Sequence, residues 1–410
     1  MTSETSAAPI GWVRPLAATL TLQTANAYLS YVIPTLAPVV SAAVGASDSF
    51  VGHLTALSTV GSILLMLVGT PLIRRFGAIR SLQAGTLLAG IGVLLLLVPN
   101  TWSVVAGTLL MGIGYGPSSP AGSNVLQRYA PPQHRNLIFS IRQAGVPLSG
   151  TAAGIALPLI YHAAGWNAVI AVSFAVALLA VSVVQPVRAR IDGDRVREQR
   201  VALRYLISPA NLMIPLNAVS AAPGLRRIAL AGACLAVGQG CWIAFLVTYL
   251  TQGLNISLVS AGVVFASMQA AGIFGRLLLG WLSDRLRSGL IVLKGTAIAS
   301  GATSLLLVLS APSLPFPALC ALAALAGTTV VSWNGVQIAE IARRVPRTSI
   351  TASASGATIL VFLGFVIGPA VFALLLDLTQ SFTVCFMAVA ATTAVGAILM
   401  AGVGDVPAAA

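Results

Sequence analysis

The chain has 410 residues, of which 57% are hydrophobic and 8% charged, against roughly 25% charged in an ordinary soluble domain. A water-facing surface cannot be built from that composition, and at about 20 apolar residues per crossing the length allows about a dozen membrane spans. The formal net charge of +13 would suggest nucleic acid in a soluble protein, but the basic residues fall at alternate turns between apolar runs, so the expected partner is the lipid bilayer, with no nucleic acid.

Met1 to Ile10 lack the basic stretch and cleavage site of a secretory signal, so the first apolar run is expected to stay as a span. Runs bounded by Gly, Pro and charge predict spans near 14–40, 51–73, 82–99, 102–128, 136–160 and 166–187. A charged stretch follows, and six more spans are predicted near 227–251, 258–283, 289–310, 315–341, 350–376 and 381–403. With the N-terminus cytoplasmic, Arg74, Arg75, Arg80, Arg128, Arg135, Arg285, Arg287, Lys294, Arg343, Arg344 and Arg347 all fall at inward turns, and a block from Arg188 to Arg227 falls in one inward loop. The outward turns, near Asp48, Asn100, His162, Asn255, Ser313 and Thr379, carry no Lys or Arg. By the positive-inside rule this predicts a multi-pass protein of the cell inner membrane with both termini cytoplasmic.

The two sets of spans resemble each other. Gly52 and Gly262 open the second span of each set and Leu72 and Leu282 close it, while Gly145 and Pro158 in the fifth match Gly356 and Pro369 in the eleventh. The expected fold is therefore all-α integral membrane: 12 transmembrane helices in two pseudo-symmetric six-helix bundles, 1–187 and 227–410, joined by a cytoplasmic linker, 188–226. That linker reads as a tether, with Leu206, Ile207, Leu212 and Ile214 also allowing helices on the inner leaflet. Cys234, Cys241, Cys320 and Cys385 all lie in apolar runs without metal-ligand spacing, so neither a disulfide nor a metal is expected.

At Gly280-Trp-Leu-Ser-Asp284-Arg285-Leu-Arg287, after the eighth span, the sequence resembles the repeated loop motif of the major facilitator superfamily. The equivalent first-half turn, Thr70-Pro-Leu-Ile-Arg74-Arg75-Phe-Gly77, has Arg74 where the family usually has Asp. The resemblance implies alternating access around a central cavity. It also implies gating roles for Arg75, Asp284 and Arg285 in a cytoplasmic charge lock, of which the first-half acid is absent. Glu340, beside Arg343 and Arg344, reads as an inner-gate or orientation residue. Gly107-Thr108-Leu-Leu-Met-Gly112-Ile-Gly114-Tyr-Gly116 is similar to the family's proton-coupling motif, with Thr108 in place of its Arg, and the fifth span lacks the signature of drug/proton antiporters.

Of the 22 basic residues, 20 are placed at the cytoplasmic boundary, which leaves Arg142 and Arg276 inside helices. A charge near mid-membrane costs about 2.5–3.5 kcal/mol on the insertion scale, so such residues are usually functional. Each is expected about 10–12 Å inside the boundary, at 1.5 Å per residue from Arg135 and from Asp284. Two arginines without a nearby carboxylate suit an anion, because each guanidinium fork can hold a carboxylate through two hydrogen bonds. The position of Arg276 also resembles the substrate-binding arginine of oxalate/formate and monocarboxylate carriers in the superfamily, with Gly272 where the latter carry Asp. The alternative for both arginines is a scaffold role, hydrogen-bonded to carbonyls.

Helical spacing adds a polar lining: Gln23, Asn26 and Ser30 in the first span; Tyr115, Ser119 and Ser123 in the fourth; Gln239 and Trp242 in the seventh; Gln269 in the eighth; Thr329, Trp333 and Gln337 in the tenth. The functional expectation is a secondary active transporter for a small organic anion, a carboxylate, by proton symport or anion exchange. The alternative is an efflux pump for amphipathic compounds or drugs. No cofactor is expected, since no Gly-x-x-x-x-Gly-Lys-Ser/Thr motif occurs, and three scattered histidines do not make an enzyme site.

Overall fold

The computed structural model describes residues 11–196, 198, 210–221, 223–346 and 349–404, and their regular secondary structure is entirely helical. Arg347 and linker positions 199–209 lie outside the described residues. Eight helices among the described residues are long and apolar enough to cross a membrane. One of these, within Arg135–Ile191, is two spans, because Gly165 turns the chain with φ 76°. A positive φ of that size suits glycine, which has no Cβ to oppose it. The second span, Phe50–Phe76, carries Arg74 and Arg75 in its last turn. The first and fourth spans are broken into shorter helices, and together these make up twelve.

The breaks have local causes. The first span is three helices, Val13–Ser30, Val32–Thr35 and Ala37–Ala43, because Pro34 and Pro38 cannot donate to the helical ladder. Beside the break the Tyr31 carbonyl accepts from both the backbone N–H (3.1 Å) and the hydroxyl (2.6 Å) of Thr35. In the fourth, Thr101–Tyr115 gives way to Ser118–Tyr129 across Gly116 and Pro117. The tenth, Phe316–Thr329 and Asn334–Arg343, breaks without a proline: Ser332 Oγ donates to the carbonyls of Gly327 (2.7 Å) and Gly272 (3.1 Å) and so competes with the ladder. The sequence reading had all three as continuous spans. The sixth-span helix runs through Ile191, past the expected end at 187, and the seventh, Pro223–Thr248, begins before the expected 227. Within the linker, Ala210–Ser220 is helical.

The two ends of the bundle differ. Call the end bearing Arg74, Arg135 and Arg285 the basic face. At the opposite end one large core contains residues of both halves, among them Leu36, Leu54 and Leu157 from the first and Phe245, Phe265 and Phe372 from the second. The halves touch there through glycines. A Cβ on Gly154 of the fifth span would come within 2.8 Å of the Gly262 carbonyl in the eighth, Leu258–Arg285. A Cβ on Gly52 would collide with the Pro369 carbonyl of the eleventh, Ile350–Thr379. Small residues allow such close backbone approach where lipid gives no hydrophobic drive. Toward the basic face the cores separate: Leu22, Ile79, Val125 and Val184 belong to the first half alone, and Ile228, Leu293, Trp333 and Met400 to the second alone. The molecule is closed at the charge-poor end and parted at the basic end.

Candidate substrate site

Arg276 sits where the shared core gives way to the parted halves. Its Nη1 donates to the Gln143 carbonyl of the fifth span at 2.9 Å, which bridges the halves. The side chain is half-buried, and its other N–H groups have no hydrogen-bond partner among the described residues. Gln143 is exposed and accepts from Gln23 Nε2 at 3.1 Å through its own side chain. Tyr31 and Tyr115 both lie within electrostatic reach of Arg276. Tyr31 also meets the edge of Phe265 with ring centroids 5.7 Å apart.

Arg142 is used differently. It is 2% exposed, its Nη2 donates to the Ser118 carbonyl, and its Nε has no partner. The guanidinium lies over Gly122, where any Cβ would clash with it. Ser118 opens the second helix of the broken fourth span, so Arg142 braces that break from the fifth. Asn26 serves the other side of the same break, its Nδ2 donating to the Gly114 carbonyl at 2.8 Å. The two accepting carbonyls, Gly114 and Ser118, flank the Gly116-Pro117 break, so polar side chains gather at this level. Tyr115 feels the charge of both arginines.

The other predicted positions divide. Ser119 is exposed beside the fourth-span break. Gln269 is fully buried against Gly150, whose Cβ would come within 2.8 Å of its amide carbon, and its side chain meets that of Tyr31 from the other half. It belongs to the closed seam. Gln239 is buried with Oε1 unpartnered. Three residues expected on the path lie inside the second half instead. Trp242 donates to Ser304 Oγ at 2.9 Å and meets Phe386 edge-on. Gln337 donates to the Ile228 carbonyl at 3.2 Å and fills the space beside Gly232. Trp333 is fully buried in the second-half core, because the break ahead of Asn334 ends the helical face that was expected to carry it.

Among the gating residues, Asp284 and Arg285 are exposed at the end of the eighth span, and Arg75 is exposed at the end of the second. Glu340 is buried and held by Arg344, whose Nη2 and Nε donate to its Oε1 at 2.6 and 2.8 Å. It lies against Gly289, the first residue of the ninth span, Gly289–Ser310. Sequence reasoning missed Tyr31, the Gln143 bridge and Asp192. Asp192 follows the sixth span and is 4% exposed, and its Oδ1 and Oδ2 accept the backbone N–H groups of Ile79 and Arg80 at 2.9 Å each. It thereby caps the third span, Ala78–Leu95, behind Gly77 with φ 101°. The signal was present, since Asp192 is an acid at the end of a basic run, but nothing in the spacing showed which helix it would reach.

Twelve helices in two halves, closed at one end and parted at the other, carry the outline of an alternating-access carrier. Residues 19–358 match the family model of the Major Facilitator Superfamily. The chain belongs to that superfamily. It is 27% identical over 198 residues to uncharacterized MFS-type transporters from two strains of Mycobacterium tuberculosis; the match covers 48% of this chain and 42% of the length of those relatives. Among solved structures, the inward-facing, unoccupied form of a bacterial homologue of the human lysosomal transporter Spinster is similar with a TM-score of 0.69 at 19% identity, covering 94% of this chain and 92% of that one. The peptide transporter POT in complex with sulfate gives 0.71 at 14% identity, covering 95% and 94%. At these identities the likeness is one of fold. This superfamily member is a multi-pass membrane protein.

Proposed function

We propose that this transporter moves a small organic anion, a carboxylate, across the cell inner membrane, with its basic face and both termini in the cytoplasm. The observation that carries the reading is Arg276: a half-buried guanidinium at the boundary between the halves, with one hydrogen bond made and its remaining donors open. A carboxylate docking there would take a bidentate pair of charge-assisted hydrogen bonds, and Tyr115, Gln23 and Gln143 supply further polar groups beside it. Because Arg276 and Gln143 belong to different halves, an anion that competes for the guanidinium acts on the bridge between them, which couples binding to movement. Charge layout supports the orientation, since the parted end carries the arginines and the closed end does not.

None of the nine acidic residues falls in mid-span by sequence, so anion exchange, or symport of a proton carried with the anion, is the coupling that suits the chain. Efflux of amphipathic compounds is the competing reading, and the Tyr31, Phe265 and Tyr115 rings near Arg276 are what would favour it. The test is a thermal-shift panel of small mono- and dicarboxylates on the detergent-purified protein, with Arg276→Gln beside the parent. One acid is expected to stabilise the parent and to leave Arg276→Gln unmoved while that variant stays folded. A hit that stabilises both equally, or no anionic hit beside clear lipophilic ones, overturns the carboxylate reading.

A further inference from the structure

On the basic face of the first half, the ends of three spans bring five arginines to two adjacent cavities. One cavity, about 270 Å³, is lined by Arg80, Arg188, Ala189, Asp192, Gly193 and Arg195. The other, about 330 Å³, is lined by Arg14, Pro186, Val187 and Arg190. Arg14 stands at the start of the first span, Arg80 in the first turn of the third, and the other three at the end of the sixth. None of the five guanidinium groups has a hydrogen-bond or ion-pair partner among the described residues. Of the acids in the same stretch, Asp192 accepts the backbone N–H groups of Ile79 and Arg80 in the third span, and Glu198 is exposed.

Five cations without a partner among the described residues line two hollows at a membrane boundary, and the field they make there favours an anion. Their depth limits what that can be. Val13 and Pro186 are exposed beside the second cavity, and the sixth-span helix below it presents Val183 and Leu179 outward. The site is therefore cationic at its mouth and apolar beneath, which matches the junction of a phospholipid's phosphate with its acyl chains. A free phosphate would use the arginines but not the apolar floor. We infer that this corner binds the phosphate groups of anionic phospholipid, one in each cavity, on either side of the end of the sixth span. Arginine suits the task because its fork pairs with two phosphate oxygens at once, and basic pockets between spans on the cytoplasmic side are recognised lipid-headgroup sites. The site is separate from the Arg276 locus, and its test does not depend on the transported substrate.

The experiment is thermal shift and native mass spectrometry of the detergent-purified full chain titrated with phosphatidylglycerol, cardiolipin, phosphatidylcholine and inorganic phosphate. The variants are Arg14→Gln/Arg190→Gln, Arg188→Gln/Arg195→Gln, the same four positions changed to Lys, and Arg226→Gln as a basic-face control in the other half. The anionic lipids are expected to raise the melting temperature and to remain bound in the spectrometer, with phosphatidylcholine and inorganic phosphate without effect. Each Gln pair is expected to weaken half-saturation by about thirtyfold, given about 1 kcal/mol per basic residue near an anionic surface and two residues in each pair. The Lys variants should keep most of the effect, and Arg226→Gln all of it. Equal shifts with phosphatidylcholine, an unchanged response in both Gln pairs, or saturation by inorganic phosphate alone would each overturn the lipid assignment.

Discussion

At the charge-poor end Gly154 lies against the Gly262 carbonyl, Gly52 against that of Pro369, and Tyr31 meets the edge of Phe265, so the halves share one core. At the basic end Leu22 and Ile79 belong to one core and Ile228 and Trp333 to another. The contrast shows how a carrier keeps a seam reversible. The closed seam joins the halves through backbone contacts at glycines, which can part without leaving broken ion pairs. It also buries the Gln269 side chain against Tyr31, a polar contact between the halves that opening that end would return to water.

Bulk in the closed seam should produce the largest effect. Gly154→Leu places a side chain where the eighth span now lies, and overpacking of this kind costs about 1–3 kcal/mol. It should lower the melting temperature and bias the protein toward opening at the charge-poor end, read by labelling of a cysteine placed at Ser267. Unchanged labelling would mean that the glycine contact does not hold the seam.

Next come the two intramembrane arginines, which the comparison assigns to different tasks. Arg142→Gln removes the brace on the fourth-span break and should destabilise the protein by about 1–3 kcal/mol. Arg276→Gln loses one hydrogen bond at a half-buried site and should cost less, about 0.5–1.5 kcal/mol, while abolishing anion-induced stabilisation. Equal melting temperatures for the two variants would break the distinction.

The acids at the basic end give a finer contrast. Asp192→Asn leaves one of two capping N–H groups without its acceptor, at about 1 kcal/mol, detectable as a lowered melting temperature. Asp284→Asn, at an exposed site, should leave stability within about 0.5 kcal/mol, and a fall as large as that of Asp192→Asn would show that the eighth-span acid carries structural weight in this conformation.

The spans and their two-half arrangement were legible in the sequence because apolar length and alternating charge are properties of composition along the chain. So was the interest of Arg142 and Arg276, since a mid-span guanidinium stands out against an apolar run. Their division of labour was not legible, because it depends on which carbonyls flank the break in the fourth span, and Arg142 takes that of Ser118. Pro117 pointed to that break, and Pro34 and Pro38 to those of the first span. The tenth span carries no proline at its break, where Ser332 reaches the Gly272 carbonyl of another helix, a partner no single-helix pattern contains. The same blindness put Trp242, Trp333 and Gln337 on the path, since a shared helical face does not say which neighbour it meets.

The Asp192 cap has a geometric consequence for the whole carrier. It fixes the start of the linker to the first half, where Val196 also donates to the Arg74 carbonyl of the second span. The far end is fixed to the second half, with Pro215 lying against Gly356 of the eleventh. Those two spans meet at Gly52 and Pro369, so they form the arms of a pair of dividers, about 33 Å and 20 Å long at 1.5 Å per residue. The tie across their free ends runs fourteen peptide units from Val196 to Ala210, a reach of about 48 Å when fully drawn out. Spreading the arms by roughly 60° separates their tips by only about 29 Å on the same helical rise. The covalent reach exceeds that separation by about 19 Å, so the length of the connection does not by itself limit such a spread.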